Sequence, residues 1–160
     1  MGYRKILALC AFGVACAASA TASSQQLVKA IREHQLLRGS PLNILVVDDS
    51  TVMRNIMVTV LKQNGYGNIK EASNGAEALE RVDSSLSLII TDVNMPVMDG
   101  FQFVKEVKAR DDLKNIPIIV VSTDSEENRY RMLKLGVFGV ITKPFAPEEF
   151  MNKIKLAIGD

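Results

Sequence analysis

From residue 43 onward the chain is punctuated by uninterrupted apolar runs: Ile44–Val47, Leu88–Ile90, Ile118–Val121 and Val140–Ile141. A strand with one wet face alternates apolar and polar residues, whereas a strand covered on both faces does not, so these runs predict parallel strands sandwiched between helices. The segments between them change to helical spacing. Strand Asn43–Val47 is followed by a helix from about Thr51 to Asn64, with Val52, Ile56, Val60 and Leu61 as its expected inward stripe and Gly65 ending it. Strand Asn68–Ala72 precedes a helix over Gly75–Val82, which Asn74 is placed to cap. Leu86–Thr91 leads to a helix over Gly100–Arg110, Pro117–Ser122 to Glu126–Leu135, and Gly139–Thr142 to Pro147–Ile158, where Pro147 suits a first helical turn. Five strands alternating with five helices predict an α/β fold, a doubly wound five-stranded parallel sheet with helices on both faces.

Each apolar run but the second strand's ends at a polar residue that a buried strand does not need: Asp48-Asp49, Asp92, Ser122 and Lys143. In open parallel sheets ligands bind beyond the carboxyl ends of the strands, so residues nearly a hundred positions apart converge there. An Asp-Asp pair by itself is usually a turn or a helix cap. Joined by a third aspartate after another strand, it becomes a cluster of like charges that drifts toward protonation unless a cation neutralises it. A hard divalent ion on oxygen ligands, together with Lys143, meets that need, and Mg²⁺ is the expected cofactor.

Composition narrows the picture. The 160 residues, 48% of them hydrophobic, suit one domain with an ample core. Residues 1–42 carry five basic and one acidic side chain, leaving 14 basic and 17 acidic for the rest, a net charge of −3. That remainder has no basic stripe for a phosphate backbone, so no nucleic-acid partner is expected. Both cysteines, Cys10 and Cys16, precede the βα pattern, which excludes a disulfide or cysteine-ligated zinc framework within it.

The N-terminal segment, residues 1–24, has another character. Arg4-Lys5, an apolar stretch from Ile6, and the small-residue sites Ala18-Ser-Ala20 and Ala20-Thr-Ala22 have the layout of a secretory signal. Ile6–Ser24 is also uncharged over 19 residues, near the length of a membrane span, though its serine, threonine and glycine content makes a weak anchor. A chain begun at a non-AUG codon near Leu27 or Val28 is the third alternative. Residues 25–42 read as a linker helix, with Leu27, Ala30, Ile31 and Leu37 as an irregular apolar face and Gly39-Ser-Pro41 as its stop. His34, the only histidine, lies there among charged neighbours and reads as an exposed helix position.

The stretches LVVDDSTVMRN, IITDVNMPVMDGF, PIIVVSTDS and GVITKPF resemble, block by block, the receiver domain of two-component response regulators, especially the CheY-like single-domain type. The resemblance covers residues 43–158. It implies a flavodoxin-like (βα)5 fold with strand order 2-1-3-4-5, the order CheY itself is known for. It further implies that Asp92 accepts a phosphoryl group from the phosphohistidine of a sensor kinase or phosphotransfer protein. Asp49 and Asp92 would hold Mg²⁺ with the backbone carbonyl of Asn94, Asp48 would act through water, and Ser122 and Lys143 would contact the phosphoryl oxygens. The Lys143–Pro144 bond is expected to be cis, fixing the direction of the lysine stem. Asp99 is expected to cap the following helix.

Asn94 and Asp124 stand two residues beyond Asp92 and Ser122 and resemble the positions that tune dephosphorylation in the chemotaxis type. Two positions depart from the family. Thr123 replaces a usual alanine or glycine and is expected to crowd access to Asp92, and Val140 replaces the usual aromatic three residues before the lysine. The implied protein is a phosphorylation-switched binding module, not an enzyme on other substrates. Its chemistry is its own phosphorylation and autodephosphorylation, and its output is binding of a downstream protein, with chemotaxis as one pathway. A phosphorelay or phosphate-sink receiver and a tethered or exported interaction domain are the alternatives. A phosphatase of the aspartyl-phosphate type would need a second aspartate where Asn94 stands, and a substrate cap for which the chain has no room. The expected location is the cytoplasm, with membrane association only if residues 1–24 are an anchor.

Overall fold

The computed structural model describes residues 42–123 and 126–159. The signal-like segment over 1–24 and the linker helix over 25–42, Leu42 apart, lie outside the described residues, as does Asp124. Ten elements alternate: β1 (Asn43–Val47), α1 (Thr51–Gln63), β2 (Asn68–Ala72), α2 (Gly75–Arg81), β3 (Leu86–Thr91), α3 (Gly100–Ala109), β4 (Ile118–Ser122), α4 (Glu126–Lys134), β5 (Gly139–Thr142) and α5 (Pro147–Ile158). The strands form one parallel sheet in the order β2-β1-β3-β4-β5. The doubly wound α/β fold and strand order 2-1-3-4-5 are thus present. Among the described residues no helix is long and apolar enough to cross a membrane.

The unbroken apolar runs have the expected cause. Alternate strand residues feed two separate hydrophobic layers. Leu45, Val47, Ile89, Val120 and Val140 pack with Ala78 of α2, Phe103 and Val107 of α3 and Met132 of α4. Ile44, Val46, Leu88, Ile90, Val121 and Ile141 pack on the other face with Met57 and Leu61 of α1 and Phe150 and Ile154 of α5. Helix ends are set locally. Ser50, Asn74 and Asp99 accept from Met53 N, Glu77 N and Gln102 N at 3.3, 2.9 and 2.8 Å, each satisfying an amide that the first helical turn leaves free. Lys108, whose ammonium burial pushes below its ordinary value, donates to the carbonyls of Lys114 and Ile116 at 2.8 and 3.1 Å and ties α3 to the loop entering β4.

Helix α1 departs from the expected stripe. Val60 and Leu61 are buried, but Val52 is 70% and Ile56 44% exposed, and the inward places are taken by Met57 and Val58. Met57, Val58 and Leu61 continue an i, i+3, i+4, i+7 series that begins at Arg54. The arginine faces the sheet edge because it has polar partners there, and the helix is turned accordingly.

Among the described residues, one that is not glycine sits at positive φ. Val97, in the loop between β3 and α3, has φ 68° and is 85% exposed. A β-branched residue in the left-handed region costs about 1–3 kcal/mol, and this side chain buries nothing in return. Val97→Gly is therefore expected to stabilise the fold by about 1 kcal/mol, after glycine's greater entropy loss is subtracted. Urea denaturation should show a higher midpoint at unchanged slope, and a lower midpoint would contradict the strain.

Candidate functional site

The sheet register brings the polar strand ends together. Val47 of β1 is paired with Thr91 of β3, so Asp48 and Asp92 emerge side by side from two adjacent inner strands. The backbone fixes both: Asp48 N donates to Ala72 O at 3.2 Å and Asp92 N to Val47 O at 2.9 Å. On the neighbouring strands Ser122 is paired with Thr142, and Lys143 N donates to Ser122 O at 2.9 Å. The order in which strands are added to the sheet reverses between β1 and β3, the switch point at which such folds open a crevice.

Lys143 is the hub. Its Nζ lies 2.7 Å from Asp48 Oδ2 and 3.0 Å from Asp92 Oδ2, and its side chain is 11% exposed. The Lys143–Pro144 peptide is cis, and Phe145 stacks on Phe150 of α5 with ring centroids 5.1 Å apart, which anchors the loop that carries the lysine. The remaining carboxylate oxygens meet backbone amides: Asp48 Oδ1 accepts from Ser50 N at 2.8 Å and Asp92 Oδ1 from Val93 N at 2.6 Å. Asp48 and Asp92 are buried while Asp49 is exposed, and one carboxylate oxygen from each of the three lies within 4.8 Å of the others.

The electrostatics shows a shortage of positive charge. Burial pushes the Asp92 carboxyl above its ordinary value. The hydrogen bond and charge of Lys143 and the Val93 amide oppose that rise, and the Asp48 charge adds to it. Burial alone would push the Lys143 ammonium down, but its bonds to Asp48 and Asp92 outweigh this and raise it. Both partners moving up is consistent because one cation serves two buried carboxylates, with a third acid beside them. A further cation therefore has a place to go. Three clustered carboxylates at the edge of solvent match the hard oxygen donors that Mg²⁺ uses, together with the water it retains.

The other residues singled out in the sequence are placed as follows. Ser122 is buried at the end of β4, and Asn94 is exposed two residues after Asp92. Thr123 is exposed just beyond Ser122. Val140 is buried and lines, with Val93, Val120, Ser122, Met132 and Thr142, a cavity of about 20 Å³ beneath α4. That is room for about one water, not for an aromatic ring. Arg54, which carries no motif by itself, is also at the edge: its Nη1 donates to Asp48 O at 2.7 Å.

Residues 44–155 match the model of the response regulator receiver domain. The chain belongs to that family. This receiver domain is 40% identical over 121 residues to chemotaxis protein CheY1 of Helicobacter pylori strain J99, covering 74% of the present chain and 98% of that one. The chemotaxis protein CheY homolog of Campylobacter jejuni strain 81-176 is 36% identical over the same length, covering 74% and 93%. Among solved structures, the chemotaxis response regulator CheY4 of Vibrio cholerae superposes with a TM-score of 0.67 at 35% identity, covering 74% of this chain and 99% of that one. The CheY of Borrelia burgdorferi, solved in a complex of CheX, CheY, BeF₃ and Mg²⁺, has a TM-score of 0.71 at 25% identity, covering 76% and 92%. The receiver domain is thus of the CheY type, and the strand-end acids of Asp48, Asp49 and Asp92 are part of the matched region.

Proposed function

We propose that Asp92 is the phosphoacceptor of this receiver domain and that Mg²⁺ is its cofactor. The observation that carries the reading is the buried Asp48–Lys143–Asp92 bridge, in which one ammonium is shared by two carboxylates within reach of a third. A carboxylate oxygen of Asp92 attacks the phosphorus of a phosphohistidine on a sensor kinase or phosphotransfer protein. The phosphorus–nitrogen bond breaks, and the imidazole leaves with the electron pair. Asp49 and Asp92 would hold the ion with the Asn94 carbonyl, and Asp48 would do so through water. When bound, Mg²⁺ neutralises charge on the phosphoryl oxygens. Lys143 keeps its ammonium at the mouth of the site through its bond to Asp48, free to move from Asp92 to the arriving phosphoryl group. The Ser122 hydroxyl donates to the same group, and hydrolysis of the acyl phosphate by water resets the domain.

The output is binding of a protein partner, in a chemotaxis pathway of the kind its relatives are named for. The domain acts on no other substrate. Incubation with a small phosphoryl donor and Mg²⁺, followed by intact mass measurement, should show one added phosphoryl group. Asp92→Asn should abolish it, and Asp49→Ala should lose the Mg²⁺-dependent part while circular dichroism stays unchanged. Full labelling of Asp92→Asn would overturn the assignment.

A further inference from the structure

The acidic turn leaves the sheet at Asp48. The last ladder bond of β1 is Asp48 N to Ala72 O, and the first amide-to-carbonyl bond of α1 is Arg54 N to Ser50 O at 2.9 Å. The carbonyls of Asp48 and Asp49 fall between the two, outside both the ladder and the helix, and Asp49 is exposed. The Asp48 carboxylate pins one side of the turn through Ser50 N. The other side is held by Arg54. Its Nη1 lies 2.7 Å from Asp48 O and 3.4 Å from Asp49 O, and its Nη2 lies 3.3 Å from Thr51 Oγ1. Its Nε faces Glu71 Oε2 of β2 at 3.5 Å, and the arginine side chain is only 15% exposed. A guanidinium offers several donors in a fixed plane, so one side chain can grip two successive carbonyls and be gripped in turn by a strand on the far side.

We propose that Arg54 is a positioning residue for the divalent cation: it holds the Asp48–Asp49 backbone so that both carboxylates face Asp92. The proposal rests on the metal-binding reading of the three aspartates. Geometry and charge make opposite demands here. As a charge, a guanidinium beside a cation site repels the ion, so its removal would tighten binding. As a clamp, it holds the Asp48 and Asp49 carbonyls, which lie outside both the ladder and the helix, so its removal loosens the backbone that carries the two carboxylates, as when the groups that orient metal ligands are deleted. The structure favours the clamp, because the guanidinium is directed at carbonyl oxygens and Glu71, whereas the cation paired with the Asp48 and Asp92 carboxylates is Lys143.

Calorimetric titration of Mg²⁺ into the full chain separates the two. Arg54→Met is expected to weaken binding by about tenfold, in the range seen when ligand-orienting groups are removed. Arg54→Lys, which keeps the charge and the stem but lacks the planar fork, is expected to lose nearly as much. Thermal melting without Mg²⁺ should show both variants folded, and Arg54→Lys preserves the comparison if Arg54→Met fails to fold. Tighter or unchanged binding by Arg54→Met, or wild-type affinity in Arg54→Lys, would overturn the clamp. Asp49→Ala distinguishes the levels: if it binds Mg²⁺ as the parent does, the acidic cluster is not the metal site and the reading beneath the proposal fails. If it loses Mg²⁺ while the Arg54 variants keep it, only the role of Arg54 fails.

Discussion

Lys143→Met is expected to destabilise the protein by about 3–5 kcal/mol at neutral pH, the usual cost of leaving buried charges without their partner. The methionine keeps the length and apolar stem of the lysine, so the loss reports the missing ammonium rather than a cavity. Asp48 is fully buried and Asp92 nearly so, and each loses its bond to Nζ. The pH dependence gives the prediction its signature. The Asp92 carboxyl already lies above its ordinary value, because burial opposes its charge more than Lys143 favours it. Without the ammonium it rises further. A carboxyl raised on folding contributes stability that is present below its unfolded value and is lost as pH climbs through the folded one. The deficit of Lys143→Met should therefore be largest at neutral pH and shrink as the solution is acidified through the raised Asp92 value. Urea titrations across that range test this, and a deficit that is the same at every pH would show that the ammonium is not what holds the two acids.

Gly100→Ala is expected to cost at least about 3 kcal/mol, at the upper end of what overpacking does. The reason is space, not backbone freedom. A Cβ on Gly100 would come within 2.2 Å of the Asp92 carbonyl oxygen and 2.9 Å of Val93 Cα, and backbone cannot swing aside as a side-chain tip can. Gly100 N also donates to Val93 O at 2.8 Å, so the start of α3 is fastened to the residues that aim Asp92. The substitution should lower both the urea midpoint and the extent of phosphoryl labelling. Gly67→Ala is the matched control, because a Cβ there meets nothing within 4 Å. Gly100→Ala as stable as Gly67→Ala would contradict the packing described.

The element pattern was legible because burial on both faces removes ambiguity: unbroken runs of Ile, Val and Leu marked the inner strands, and β2 and each of the helices α1 to α5 fell within a residue of its expected limits. The convergence of Asp48, Asp49, Asp92 and Lys143 was legible too, since residues just past parallel strands must share an edge. Helix α1 was misread for a physical reason. Its true inward series begins with a charged residue, Arg54, and a pattern search for apolar side chains slides to Val52 and Ile56 instead. The same blind spot hid Arg54 from the site. Its work is done on main-chain carbonyls, which carry no trace in the side-chain pattern. A basic residue at the head of an otherwise apolar i, i+3, i+4, i+7 series, five or six positions after paired acids, was the available signal. The cavity beside Val140 could not be foreseen, since it depends on how Met132 of α4 fills the space.

The two-layered core leaves the central strands with an alignment problem that the acidic edge solves. In a strand with one wet face, a slip of one residue turns apolar side chains toward water and is rejected at once. The central strands are apolar on both sides, so a slip there merely exchanges one greasy neighbour for another. What such a slip cannot do is draw Asp48 or Asp92 one place inward, to where Val47 and Thr91 sit fully buried, because a carboxylate without partners is not tolerated there. The acids that crowd the strand ends therefore act as chocks, and the charge that makes the edge reactive also keeps its strands from creeping.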